Sequence, residues 1–206
     1  MAVIVRATSI GTKFVLDAEA LSRLKAVLAE GGLVVHPTDT VYGLAADPFH
    51  DGGMDRLYAA KERPRDLVVS MAVVDVDAIF RYGRRTPLAE AFCAKNLPGP
   101  FTVVLAATEE APKRLVSKAG TIGIRVPDHP IPRLLARAYG PVTSTSANRH
   151  SRPAPATCED AVEQLGESVE VYIDGGPAPL GKESTVVDLT GPRPNILRQG
   201  ALPTRT

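Results

Sequence analysis

Hydrophobic positions follow two periods along the chain. From Ala18 to Glu30 apolar residues recur at Leu21, Leu24, Val27 and Leu28, the spacing of one helix face. Gly31-Gly32 supplies the stop. Leu33-Val34-Val35 then forms an unbroken apolar run, the mark of a buried strand, and it runs into Pro37. The same reading predicts helices over Met54 to Lys61, Val76 to Tyr82, Leu88 to Lys95, Ile131 to Tyr139 and Cys158 to Leu165. Strands are expected over Val68 to Val74, Phe101 to Ala106, Thr121 to Val126 and Val169 to Ile173. Two more, Ser184 to Leu189 and Asn195 to Arg198, lie close together across a Gly-Pro turn. Met1 to Ser9 holds a short β-type run. Helices and strands alternate early and strands crowd late, which predicts an α/β sheet of mixed direction.

The chain has 206 residues, a length that favours one domain over residues 1–206. It is 44% hydrophobic and 23% charged, so disorder and coiled coil are excluded. A net charge of +1, spread evenly along the chain, excludes a globally basic nucleic-acid binder but not a local basic patch. Cys93 and Cys158 form no CxxC or Cys/His cluster and read as reduced, partly buried thiols. There is no signal-peptide core and no apolar run of the roughly 18 residues a membrane span needs. A cytoplasmic protein with no membrane contact is expected.

The 18 Pro and 17 Gly cluster at expected strand ends: Pro37, Gly43, Pro98-Gly99-Pro100, Pro127, Pro130, Pro141 and Gly175-Gly176-Pro177. In open α/β sheets ligands bind beyond strand ends. The same loops carry Thr38, Asp39, Thr40, Lys61, Arg63, Arg65, Arg125, Ser144, Thr145, Ser146, Asn148, Ser184, Thr185 and Arg198. Hydroxyls, amides and guanidiniums gathered this way suit an anionic ligand such as a phosphate chain or a carboxylate. No GxxxxGK[ST] or GxGxxG loop is present. Nor is there a GxSxG elbow or an HExxH pair, and no protein-built metal site is expected. Asp39, Asp128 and Glu183 are the only carboxylates that stand out in these loops. Chemistry by positioning and electrostatics is therefore expected, without a dedicated acid/base pair.

The loop segments also match a known pattern. Pro37-Thr-Asp-Thr-Val-Tyr-Gly-Leu44 resembles the opening motif of the YrdC-like family of threonylcarbamoyl-adenylate synthases, and Lys61-Glu-Arg-Pro64 resembles its KxRP motif. Leu97-Pro-Gly-Pro-Phe-Thr-Val-Val-Leu105, Thr121-Ile-Gly-Ile-Arg-Val-Pro-Asp-His-Pro130 and Ser144-Thr-Ser-Ala-Asn148 follow in family order. Asp174-Gly-Gly-Pro177, Glu183-Ser-Thr-Val-Val-Asp188 and Ile196-Leu-Arg-Gln-Gly200 resemble its closing motifs.

The resemblance implies an open twisted sheet of mixed parallel and antiparallel strands, flanked by helices, with a large concave cleft. It implies that ATP, L-threonine and bicarbonate give threonylcarbamoyl-AMP and pyrophosphate, with Mg²⁺ bridging the phosphates. A separate complex would then modify an adenosine of tRNA. By the family pattern Thr38, Thr40, Arg125, Ser144 and Ser184 would hold threonine. Lys61, Arg63, Thr121, Ser146, Asn148 and Arg198 would hold ATP, and Lys61, Arg63, Ser146 and Asn148 would carry the catalysis.

The chain also departs from the pattern. The family's Asn-Pro-Leu stretch and following His are replaced by Arg65-Asp-Leu-Val-Val-Ser-Met71, where Ser70 is the one candidate for the His position. Ala45, Leu97 and Ser144-Thr145 are further changes, and they bring the chain nearer a sister branch of the same fold. The extra C-terminal domain of some members is not expected, because the chain stops six residues after Gly200. The alternative function is a factor of the same fold that binds tRNA or double-stranded RNA through Lys61, Arg63, Arg65, Arg84, Arg85, Arg149 and Arg152. With aromatics at 5% and no Trp, adenine recognition is expected to lean on aliphatic walls.

Overall fold

The computed structural model describes residues 2–10 and 13–202; Met1, where the N-terminal β-type run was expected to begin, lies outside them. In chain order the strands are β1 (Val3–Arg6), β2 (Thr8–Ile10), β3 (Lys13–Val15), β4 (Val34–His36), β5 (Gly43–Ala45), β6 (Ser70–Ala72), β7 (Phe101–Ala106), β8 (Thr121–Arg125), β9 (Val142–Ser146), β10 (Val171–Asp174), β11 (Thr185–Asp188) and β12 (Asn195–Arg198). The helices are α1 (Ala18–Ala29), α2 (Asp51–Ala60), α3 (Val76–Tyr82), α4 (Pro87–Asn96), α5 (Pro130–Ala138) and α6 (Cys158–Leu165).

Ten strands form one open sheet in the order β1-β10-β4-β5-β9-β6-β8-β7-β11-β12, and β2 pairs with β3 apart from it. The β1/β10, β10/β4, β6/β8 and β7/β11 pairs are parallel; the other five are antiparallel. The mixed, helix-flanked α/β sheet expected from the sequence is therefore present.

Side chains alternate across this sheet, as strand geometry requires. On one face Val34, Ala45, Ala72, Val142, Val171 and Ile173 pack under Leu24 and Leu28 of α1 and Ile131 and Leu135 of α5. On the other face Val35, Met71, Val103, Ile122, Ile124, Tyr172 and Val187 pack under α2, α3, α4 and α6. Both cysteines lie in that second layer, where burial pushes each thiol up to about 11. Among the described residues no helix is long and apolar enough to cross a membrane.

Helix starts follow local chemistry. Side chains of Asp17, His50, Asp75, Thr86, His129 and Thr157 each accept a backbone N–H of the first turn. The His50 cap starts α2 at Asp51, ahead of the Met54 expected from periodicity. Three strands depart from expectation, and β3 has no expected counterpart. The Gly43–Ala45 segment is a strand, and β9 continues through Ser144, Thr145 and Ser146, which the sequence reading places in a loop beyond Val142. Hydroxyl side chains carry no hydrophobic period, so their strand is silent in the pattern.

Candidate active site

The layer formed by α1 and α5 stops short of β7, β8 and β11. On these strands the residues that alternate with the apolar core residues have no helix over them, and they form the floor of a cleft of about 370 Å³. Thr102 and Val104 come from β7, Thr121, Gly123 and Arg125 from β8, and Val186 from β11. Ser70 of β6, Ser144, Thr145 and Ser146 of β9 and Gly43 of β5 continue the floor. Thr38, Thr40, Val41, Tyr42, Arg63, Val68, Val69, Glu183, Ser184, Leu197 and Arg198 make the walls. The cleft thus lies across the open face of the sheet. The sequence reading had placed it only beyond the strand ends.

Many of its polar groups are held by hydrogen bonds. Arg125, 5% exposed, donates from Nη2 to Asp39 Oδ1 at 2.7 Å and from Nη1 to Thr40 Oγ1 at 3.1 Å. Thr40 and Thr38 share a hydrogen bond at 2.9 Å, and Thr38 donates to Val41 O. Burial pulls the Arg125 pKa down from its ordinary value, and the neighbouring Asp39 charge works against that pull. Opposite, Thr102 and Ser184 share a hydrogen bond at 2.8 Å. Arg198 donates to Ser184 O at 3.0 Å and pairs with Glu183 at 3.2 Å. Thr121 bonds to Ser117 at 2.7 Å.

Every site residue expected from the sequence lines this cleft except Lys61 and Asn148. Those two lie behind it, 2% and 7% exposed. The Lys61 ammonium donates to Asn148 O at 2.7 Å, to Asn148 Oδ1 at 3.3 Å and to Ser146 O. Burial lowers its pKa to about 7. Asn148 donates in turn to Arg152 O at 2.6 Å and Arg149 O at 3.0 Å. Lys61 therefore braces the end of β9, which carries Ser146, and its donors are spent on carbonyl oxygens.

Local backbone geometry explains why two residues of one motif part company. Helix α2 ends with Glu62 at φ 50, a left-handed position. Glu62 N–H returns to Ala59 O and Arg63 N–H to Tyr58 O, the paired bonds of a Schellman ending. This reversal leaves Lys61 inside the fold and Arg63 on the cleft wall.

Thr102 and Gly123 were missed by the sequence reading. For Gly123 the signal is the alternation in Thr121-Ile-Gly-Ile-Arg125, polar or small on one face and apolar on the other. Gly200 was also read only as part of a motif. A Cβ there would sit 2.3 Å from Glu183 O and Ser184 C, so glycine lets the chain press against the backbone that presents Glu183 and Ser184.

The chain is similar to several known proteins. Residues 26–200 match the Sua5/YciO/YrdC family model, described as telomere recombination. A threonylcarbamoyl-AMP synthase of Pyrococcus abyssi is 34% identical over 178 residues, covering 85% of this chain and 52% of that protein. A putative threonylcarbamoyl-AMP synthase of Mycobacterium tuberculosis is 38% identical over 179 residues, covering 84% and 81%. The chain thus spans about half the length of the first relative and most of the second. The crystal structure of P. abyssi Sua5 complexed with L-threonine superposes with a TM-score of 0.90 at 30% identity, covering 98% of this chain and 58% of that one. E. coli YciO superposes with a TM-score of 0.88 at 27% identity, covering 100% and 98%.

Proposed function

The chain belongs to the Sua5/YciO/YrdC family, and from that premise we propose that it is a threonylcarbamoyl-AMP synthase. ATP, L-threonine and bicarbonate give threonylcarbamoyl-AMP and pyrophosphate, and a separate complex transfers the threonylcarbamoyl group to an adenosine of tRNA. The observation that carries this reading is the cleft on the open face of the sheet. Its lining carries the buried hydroxyls of Thr38, Thr40 and Ser184, the buried Arg125 guanidinium and two further guanidiniums, Arg63 and Arg198.

Threonine lies against the buried group. Its carboxylate meets Arg125 and the Thr38/Thr40 hydroxyls, since a guanidinium fork matches two oxygens. Ser144 and Ser184 hold its remaining polar groups. ATP lies toward Arg63, Arg198, Thr121 and Ser146, with Lys61 and Asn148 setting the position of Ser146 from behind. The valines of the walls and Leu197 serve the adenine.

The threonine nitrogen adds to the bicarbonate carbon with loss of water, giving a carbamate. A carbamate oxygen then attacks the α-phosphorus in line with the departing pyrophosphate. The arginines stabilise the negative charge that builds on the phosphoryl oxygens. Among the described residues no three His, Cys, Asp or Glu side chains gather, and Glu183 is the one carboxylate on the cleft wall. That donor set suits Mg²⁺ entering as the ATP complex, held mainly by phosphate oxygens.

The test is pyrophosphate release with ATP, bicarbonate and each amino acid in turn. Threonine-dependent release is the expected result. No release with any amino acid, together with tight, salt-sensitive RNA binding, would replace this reading by the RNA-binding one. Arg125→Met is expected to raise the threonine requirement about a hundredfold and the ATP requirement less than threefold; equal effects would remove Arg125 from the threonine site.

A further inference from the structure

We propose that Asp39, which does not line the cleft, is a positioning residue that sets the Arg125 guanidinium for the substrate carboxylate by holding one edge of it through a single bond. The inference rests on the reading above, in which Arg125 meets that carboxylate.

Asp39 and Arg125 are each 5% exposed, so their charges are withdrawn from water and depend on one another. The pair is joined only through Asp39 Oδ1 and Arg125 Nη2, at 2.7 Å. A two-pronged pairing would use two nitrogens and fix the carboxylate fully. Here Asp39 Oδ2 and Arg125 Nε have no hydrogen-bond partner. The other terminal nitrogen, Nη1, is turned to Thr40 Oγ1 at 3.1 Å, and Thr40 is tied to Thr38.

The arrangement has two consequences. The guanidinium is clamped along one edge by an element it shares no strand with, which fixes its plane. It also keeps hydrogen-bonding capacity that a fully forked partner would have consumed. Thr38, Thr40 and Arg125 all line the cleft, so fixing that plane fixes the whole carboxylate-facing group. Asp39 sits in the loop between β4 and β5, and Arg125 ends β8. The bond therefore ties the two flanks of the cleft together.

A double-mutant cycle on the full chain tests this, using Asp39→Asn, Arg125→Met and the two combined. Threonine binding is read by calorimetry, ATP binding is measured in parallel, and melting curves are recorded. Asp39→Asn is expected to weaken threonine binding at least tenfold and ATP binding less than twofold. The combined variant should bind threonine no worse than Arg125→Met alone, because Asp39 acts only through Arg125. If the two losses multiply, or if Asp39→Asn binds threonine as tightly as the native chain while Arg125→Met does not, the positioning role is overturned and the threonine site stands. If Arg125→Met binds threonine normally, the site assignment and the positioning role fall together.

Asp39→Asn alone leaves a buried cation and can compromise folding. Asp39→Glu keeps the charge but lengthens the stem by one methylene. It is expected to give threonine affinity between those of the native chain and Asp39→Asn, with ATP affinity unchanged. Parallel loss of both ligands in a folded Asp39→Glu protein would mark a purely structural role.

Discussion

Two halves of one sheet meet different fates. Strands β10 and β4 are clothed on both faces: Val34, Val171 and Ile173 lie under α1 and α5, and Val35 and Tyr172 under the opposite layer. Strands β8, β7 and β11 are clothed on one face only. Ile122, Ile124, Val103 and Val187 are buried, while Thr121, Gly123, Arg125, Thr102 and Val186 floor the cleft. The same strand period serves a packed core in one half and an open cleft in the other. The cleft sits where a covering helix stops short. The most buried polar groups of the floor are paired with the walls and the loop behind them, as Thr102 is with Ser184 and Arg125 with Asp39 and Thr40.

The contrast is sharpest in the response to truncation. Leu28, fully buried where α1 covers the sheet, is expected to cost about 2–5 kcal/mol on substitution by alanine, as large core deletions do. Threonine and ATP affinities should stay within twofold. Val104→Ala on the floor removes less buried surface and is expected to cost about 1 kcal/mol or less of stability while weakening ligand binding. Urea unfolding of both variants, with binding measured alongside, decides. Equal stability losses would mean that the floor is packed like the core.

Acid should attack the clothed half next. His36 ends β4, and His129 caps α5 by accepting the Ile131 N–H at 3.2 Å. Burial lowers both ring pKa values to about 4. An unfolded histidine titrates near 6.5. Between pH 6.5 and pH 4 the unfolded chain therefore binds protons that the folded chain refuses. Stability present above pH 6.5 is lost as the pH falls toward 4, by about 3 kcal/mol for each ring. Melting temperatures measured across that window should fall steadily. In His129→Asn, which keeps a cap acceptor, the fall should be about half as steep; an unchanged slope would show that His129 does not contribute.

These two halves were not equally legible in the sequence. The clothed strands announce themselves: Leu33-Val34-Val35 and Val171-Tyr172-Ile173 are apolar runs, and α1 and α5 carry regular helix faces. The floor was read through its residue types and motifs, and nearly all of those residues do converge. What stayed hidden was orientation. Ser144 and Ser146 were read as loop residues although they lie on β9, because a strand facing a polar cleft has no apolar alternation to show. Lys61 and Arg63 looked equivalent until the left-handed turn at Glu62 separated them. The reading left Asp39 as one isolated loop carboxylate, since its bond to Arg125 spans 86 residues and no local pattern encodes it.

A smaller change separates floor from core most directly. Gly123 lies mid-strand on the floor, and its φ is not in the left-handed region, so the backbone accepts alanine there. The added Cβ would stand 2.8 Å from Ser70 Oγ and 3.5 Å from Thr102 Cγ2. The Ser70 hydroxyl is the end of a short side chain beside open cleft, so it can rotate away without moving backbone. Alanine also restricts the unfolded chain more than glycine does, which offsets the crowding by about 0.4–1 kcal/mol. Gly123→Ala is therefore expected to melt within a few degrees of the native protein. Its new methyl group would stand in space that ligand needs and displace the Ser70 hydroxyl. Threonine affinity is expected to fall about tenfold, roughly 1.4 kcal/mol. Calorimetric binding next to a melting curve checks both halves of the expectation. A variant that binds normally but unfolds as readily as Leu28→Ala would show that the β8 face is packed for stability rather than kept open for substrate.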